Sequence, residues 1–327
     1  MSYLVIARKY RPSTFDDLVG QKTIVTTLKN AIKSNRVAHA YLFAGPRGVG
    51  KTSMARILSK ALNCDKGITE SPCNECDICK SISNGNDIDV LEIDGASNRG
   101  IDEIRNIRQN VNYAPARARF KIYIIDEVHM LTKEAFNALL KTLEEPPPHV
   151  KFIFATTNAD KLPETVQSRC QRFDFKNISS EDLENQISLV CEKEKIKAEK
   201  DVCKLIAKYA RGGLRDALSL LDQLIAFSSG WISLDDVHDV LGTIDEEGMF
   251  ELVNSILNND LKKAIQNLEA IFDKGKGVSE FVDQIVWYIR DLLIAFVFKD
   301  DFGGNENLSE SQIKLINLVV SAFEISL

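Results

Sequence analysis

The chain of 327 residues is 44% hydrophobic and 27% charged, the proportions of a soluble globular protein with room for about two or three domains. A formal net charge of -6 excludes a nucleic-acid binder that works by bulk positive charge and leaves room only for a local basic face. No apolar run approaches the ~20 residues that span a bilayer, and the start, Met1 to Lys9, lacks a basic n-region followed by a long apolar h-region, so a cytoplasmic protein is expected.

The opening Arg8-Lys9-Tyr10-Arg11-Pro12 is basic and irregular. Two readings stand open for it: an ordinary N-terminal arm, or a segment that covers the base of a nucleotide bound further along. Phe15-Asp16-Asp17-Leu18-Val19-Gly20-Gln21 reads as a turn into a helix over 23–34. Residues 40–44 form a short apolar strand, and helical spacing of Met54, Ile57, Leu58, Ala61 and Leu62 predicts a helix over 53–62. Between them lies Gly45-Pro46-Arg47-Gly48-Val49-Gly50-Lys51-Thr52, with the G-x-x-x-x-G-K-S/T spacing of a phosphate-cradling loop. Its glycines let successive N–H groups turn inward on an anion, and the helix that follows presents unpaired N–H groups and the positive end of its dipole. Lys51 is expected to reach the β- and γ-phosphates and Thr52 to place its hydroxyl on Mg²⁺.

Next comes a loop-rich insertion carrying Cys64, Cys73, Cys76 and Cys79. Two overlapping C-x2-C steps and a fourth thiolate satisfy tetrahedral Zn²⁺ and leave no open coordination position, the pattern of a structural site. The remaining cysteines, Cys170, Cys191 and Cys203, are scattered, and the last two read as small buried hydrophobes.

Strands are expected over 89–94, 121–125 and 151–155, with helices over 101–111 and 131–143 between them. Such alternation indicates a parallel α/β sheet covered on both faces. The second of these strands is an uninterrupted β-branched run ending in Asp126-Glu127-Val128-His129. Asp126 can hold Mg²⁺ through water while Glu127 polarises the attacking water. The second carboxylate favours hydrolysis over mere binding. The last strand runs into Thr156-Thr157-Asn158, where Thr157 can orient water or read the γ-phosphate. Arg169, in Ser168-Arg169-Cys170 after helix-like residues 163–167, could project into a neighbouring subunit. Arg215, in Gly212-Gly213-Leu214-Arg215-Asp216, could swing onto the nucleotide as a lid closes. On residues alone both arginines are more often salt-bridged surface groups, and only the rest of the pattern raises them.

After Phe175 amphipathic helices take over, over 181–195, 200–210, 215–227 and 234–241, then 249–257, 261–273, 278–298 and 310–327. The expected division is a nucleotide-binding domain over 1–177 with the insertion at 64–79, a helical lid over 178–242 and a helical domain over 243–327. The apolar ending Ile325-Ser326-Leu327 suggests a fragment of a longer protein.

Together, Gly45 to Thr52, Asp126-Glu127-Val128-His129, Thr156-Thr157-Asn158, Ser168-Arg169-Cys170 and Gly213-Leu214-Arg215-Asp216 resemble the AAA+ ATPases of the clamp-loader clade. Ala7 to Pro12, Thr14 to Gln21, His39 to Phe43, Phe136 to Pro147 and the cysteine insertion are similar, more narrowly, to the tau/gamma subunits of bacterial DNA polymerase III. The resemblance runs from Met1 to about Phe298 and implies a P-loop AAA+ parallel sheet, an all-helical lid and an all-helical collar that is incomplete here. It implies an ATP-hydrolysing motor subunit that joins delta, delta-prime and further copies of itself, opens a sliding clamp and loads it on primer-template DNA. The alternative is a nucleotide-dependent scaffold with little hydrolysis of its own. Lys51 and Thr52 then hold phosphate and Mg²⁺, Asp126 and Glu127 are the Walker B pair, and Thr157 with Thr156 is sensor 1. Arg169 becomes the finger offered in trans, Arg215 is sensor 2, and the four cysteines are zinc ligands. Arg99 and Arg105 are candidates for contact with the DNA backbone. Polymerase and helicase contacts belong to C-terminal domains that this sequence lacks.

Overall fold

Five short runs form one parallel sheet: β1 (Ala40–Ala44), β2 (Val90–Asp94), β3 (Lys121–Asp126), β4 (Val150–Thr156) and β5 (Gln171–Asp174), in the order β2-β3-β4-β1-β5. In this computed structural model, residues 4–98, 100–228, 230–241, 246–273 and 277–297 are described. Side chains alternate across the sheet, as the two-residue strand period demands. Tyr41, Phe43, Ile122, Ile124 and Ile153 enter one core, and Leu42, Tyr123, Ile125, Phe152 and Phe154 enter the other. Burial on both faces explains why the central strands are apolar without alternation: every residue of β1 and of β4 is buried.

The helices follow in chain order: α1 (Ile6–Lys9), α2 (Lys22–Lys33), α3 (Lys51–Asn63), α4 (Asp77–Asn84), α5 (Ile101–Asn110), α6 (Lys133–Glu144) and α7 (Glu164–Gln167). Residues of α2 and α3 cover the first face and residues of α5 and α6 the second. Three details depart from the sequence expectation. Helix α6 starts at Lys133 because Thr132 Oγ1 accepts the Ala135 N–H at 3.3 Å, and Val128–Met130 forms a separate 3₁₀ turn. Strand β5 was not foreseen, since Phe173 is its one buried residue. Helix α4 arises inside the cysteine insertion, where Cys76 Sγ accepts the Cys79 N–H.

The chain separates into two units, Met1–Ile225 and a second that begins at Ala226. The first also holds α8 (Ser180–Glu194), α9 (Val202–Tyr209) and most of α10 (Leu214–Phe227), whose Leu183, Ile187, Val190, Ile206, Leu218 and Leu221 are buried. Short extended segments lie at Lys197–Ala198 and Trp231–Ile232. The second unit holds α11 (Leu234–Leu241), α12 (Glu246–Leu257), α13 (Leu261–Asp273) and α14 (Val278–Val297). Its core joins Met249, Leu252, Ala264 and Ile271 with Phe281, Ile285 and Tyr288. The helix expected over 310–327 and the boundary at residue 242 lie outside the described residues.

Phe152 is fully buried, and its ring stacks on Tyr123 at 5.5 Å and on Phe154 at 5.9 Å. Phe152→Ala should therefore destabilise the sheet unit by about 3–5 kcal/mol, read from urea denaturation followed by circular dichroism.

Candidate functional site

The phosphate loop leaves the carboxyl end of β1, where ligands of open parallel sheets bind. Gly45 takes φ 145°, and a Cβ there would lie 2.4 Å from the Phe175 carbonyl oxygen. The loop thus passes directly against the chain beyond β5, which only a glycine permits. Gly50, at φ 101°, precedes the first residue of α3 and offers that helix no side-chain cap, so its leading N–H groups are left for an anion. Lys51 is 6% exposed, and its Nζ donates to the carbonyl oxygens of Gly45 at 2.8 Å and Pro46 at 2.6 Å. Burial lowers the pKa of this ammonium, and the charges of Glu127 and Asp126 oppose that shift.

Thr52 Oγ1 donates to Asp126 Oδ2 at 2.6 Å, which brings the loop and the end of β3 together. Asp126 Oδ1 also accepts the Glu127 N–H at 2.9 Å. Glu127 itself stands in the left-handed region, φ 45° and ψ 44°, a strain of about 1–2 kcal/mol for a residue with a Cβ. Its Oε2 accepts from Thr157 Oγ1 at 3.0 Å and from the Thr157 N–H at 3.3 Å. The carboxylate expected to polarise water and the threonine expected to orient it are thus in contact.

Helix α10 begins on the loop: the Arg215 N–H donates to the Gly48 carbonyl at 3.3 Å, and a Cβ on Gly48 would lie 3.1 Å from Gly213 Cα. The Arg215 side chain is exposed. It lies close enough to Arg11 for the two charges, with Arg56, to lower the Arg11 pKa after burial has done so; Glu92 and Asp126 act oppositely. Arg11 itself is exposed to solvent. Sequence reasoning placed it in the basic arm, read either as an ordinary N-terminal arm or as a cover for the base of a bound nucleotide, and its one signal was that basic run. Arg169 belongs to a different place. Its guanidinium donates to Glu144 Oε1 at 2.7 Å and to the Thr165 carbonyl at 2.6 Å, and none of its described hydrogen bonds reaches the phosphate loop.

The sulfurs of Cys64, Cys73, Cys76 and Cys79 all lie within 4.8 Å of one another. A tetrahedral zinc with Zn–S bonds near 2.3 Å places its sulfurs about 3.8 Å apart, so the four residues fit that ion. Backbone N–H groups of Cys76 and Glu75 draw the Cys73 thiol down to about 6, toward the thiolate that a metal needs, while burial and a hydrogen bond with Cys76 push the Cys79 thiol up. Lys60, 2% exposed, lies beside this cluster and donates from Nζ to the Ser13 carbonyl at 2.7 Å and to Asn74 Oδ1 at 2.6 Å. Of the two candidates for DNA contact, Arg99 lies outside the described residues and Arg105 lies on α5.

A five-stranded parallel sheet with its phosphate loop after β1, its paired carboxylates after β3 and a threonine after β4 defines a P-loop ATPase of the AAA+ class. Thermotoga maritima RuvB shares the fold: one structure, a Holliday junction branch migration motor, superposes with a TM-score of 0.53 at 21% identity over 83% of this chain and 88% of that one. Family models match in succession. Residues 20–179 match the DNA polymerase III delta subunit, 182–230 the ATPase lid domain of the DNA polymerase III clamp loader subunit, and 232–324 domain III of the gamma and tau subunits. The gamma subunit of Buchnera aphidicola subsp. Acyrthosiphon pisum is 44% identical over 88% of this chain and 80% of its own length. The tau subunits of Bacillus subtilis and Escherichia coli are 47% and 51% identical over 90% and 79% of the chain. The chain belongs to the tau/gamma subunit family of DNA polymerase III. It spans 52% of the Bacillus tau subunit and 40% of the Escherichia one.

Gly45→Ala tests the close passage. The added methyl must displace the Phe175 backbone, so nucleotide affinity should fall at least tenfold, about 1.4 kcal/mol, in a titration with a fluorescent ATP analogue, while the helical circular dichroism signal is kept.

Proposed function

We propose that this chain is the ATP-hydrolysing motor subunit of a clamp loader, which uses ATP binding and hydrolysis to open a sliding clamp and load it onto primer-template DNA. In this reading it works in the cytoplasm with delta, delta-prime and further copies of itself. No described helix is long and apolar enough to cross a membrane. The observation that carries the proposal is the convergence of Lys51, Thr52, Asp126, Glu127 and Thr157 at the carboxyl end of one parallel sheet, in a chain of the tau/gamma family.

Gly45, Pro46, Arg47, Gly48, Val49 and Gly50 cradle the phosphates with backbone N–H groups. Lys51 leaves the loop carbonyls for the β- and γ-phosphates. Thr52 and Asp126 supply the hard oxygen ligands that suit Mg²⁺, and the ion, when bound, neutralises charge on the phosphates. Glu127 takes the proton of the attacking water, oriented by Thr157. Arg215, on the helix that begins at the loop, senses the γ-phosphate and ties the lid to it. The division of labour is a nucleotide-binding domain of 1–177, a lid of 178–242 and a collar of 243–327.

Arg169 completes the site of the adjacent subunit. Its pairing with Glu144 is half exposed, and exposed pairs contribute only ~0–1 kcal/mol, so transfer to a neighbour's γ-phosphate meets little resistance. Arg169→Ala should lower turnover of the assembled loader by roughly 10³- to 10⁵-fold while ATP binding is spared. A second reading, a scaffold that binds ATP and hydrolyses little, is favoured by the described hydrogen bonds of Arg169, which go to Glu144, Thr165 and Ser168 and not to the chain's own phosphate loop. Steady-state ATPase against protein concentration separates the two: dilute chain alone turning over as fast as the assembled loader would refute the role in trans.

The four-cysteine cluster holds a structural zinc. Purified protein should contain about one zinc per chain, and Cys76→Ser should lose it in atomic emission measurements. Gentle chelation should loosen the insertion without stopping ATPase; loss of turnover on metal removal would contradict a structural role.

A further inference from the structure

His129 follows Glu127 in the 3₁₀ turn Val128–Met130, and its side chain is 10% exposed. Its Nδ1 stands 3.0 Å from Thr156 Oγ1 and 3.4 Å from Glu127 Oε2. The position of its proton follows from its neighbours. The Thr156 hydroxyl has one proton, and it donates that proton to the Asn158 carbonyl at 3.1 Å while accepting the Asn158 N–H at 3.0 Å. Toward His129 it has only a lone pair to offer. The Glu127 carboxylate likewise offers lone pairs alone. An unprotonated Nδ1 would set a third lone pair against these two acceptors, so the ring carries its proton on Nδ1, hydrogen-bonded to Thr156 Oγ1 at 3.0 Å with Glu127 Oε2 beside it at 3.4 Å.

Glu127 Oε2 accepts from Thr157 as well, through both its hydroxyl and its N–H. Among the described residues, the donors to this carboxylate therefore gather on Oε2, and Oε1 is the oxygen left to face a water. A base must have its lone pair aimed before its basicity matters.

We propose that His129 is the positioning residue of the general base: its Nδ1–H, bonded to Thr156 at the end of β4, sets a positive edge against Glu127 Oε2, so that Oε1 alone meets the attacking water. This rests on the reading of Glu127 as the base for ATP hydrolysis. The donor is anchored on Thr156 at the end of β4 while the carboxylate it faces belongs to the end of β3, so a displacement of Thr156 and Thr157 changes the hold on the base.

The test compares wild-type chain, Glu127→Gln, His129→Ala, His129→Asn and His129→Gln in the assembled loader. The Asn amide nitrogen falls near the place of imidazole Nδ1 and the Gln amide nitrogen near that of Nε2. His129→Ala should lower kcat about 10- to 100-fold, with KM and the affinity for a non-hydrolysable ATP analogue unchanged. His129→Asn should recover most of the rate and His129→Gln should not. The proposal is overturned if His129→Ala keeps the wild-type kcat, if His129→Asn is as slow as His129→Ala, or if the loss falls on analogue affinity instead. Glu127→Gln separates the two levels: full turnover by that variant would sink the hydrolytic role of Glu127 itself, whereas a dead Glu127→Gln beside a fully active His129→Ala would remove His129 alone.

Discussion

The hydrogen bond from Thr52 to Asp126 joins two places that the sheet keeps apart. Thr52 stands on the helix after β1 and Asp126 at the end of β3, with β4 between those strands. For the bond to form, β1, β3 and β4 must end at the same level. The register does this, pairing Ala44 with Thr156 across β1 and β4 and Ile125 with Phe154 across β3 and β4. A one-residue slip would turn every side chain of a strand to the other face. It would part the hydroxyl from the carboxylate and mix the two cores. The alternation of Tyr41 and Phe43 against Leu42 is therefore as much a condition of the site as Lys51 is.

Strain and satisfaction are concentrated at the same edge. Glu127 occupies a left-handed conformation, and Gly95 lies beneath it so closely that a Cβ would sit 2.8 Å from the Glu127 carbonyl oxygen. The peptide after Asp126 is held by its own carboxylate, and the Glu127 side chain is held by Thr157, with His129 Nδ1 3.4 Å from the same oxygen. A turn so heavily constrained can keep an unfavourable backbone because many hydrogen bonds share the strain.

Much of this was legible in the sequence, and the reasons differ by residue. The phosphate loop and the cysteine spacing are local signals: glycines at positions needing positive φ, and thiols close in the chain. The β1, β3 and β4 runs were legible because burial on both faces leaves them apolar throughout. Strand β5 was not, because it is an edge with a single buried side chain, Phe173. Helix α4 escaped because a cysteine sulfur, not a common capping oxygen, starts it. The part played by Gly95 depends on a contact between strand ends, and the lowering of the Arg11 pKa depends on burial and then on the charges of Arg56 and Arg215, residues far from it in the chain. Neither could be read from spacing. The orientation of Glu127 by His129 is a matter of which atom owns a proton, which no residue pattern encodes.

Lys60 gives the insertion a meaning beyond its own stability. The helix that begins at the phosphate loop ends near the cysteines, and on it a buried ammonium fastens the Ser13 carbonyl of the arm and the Asn74 amide of the insertion to one point. Position 60 is consequently intolerant of drift. An arginine brings a wider, flatter head into a space fitted to an ammonium, and an apolar isostere leaves two oxygens without their donor. A lineage that discarded the four-cysteine loop would also have to re-anchor the N-terminal arm, so loop and arm are expected to be gained, kept or lost as a pair.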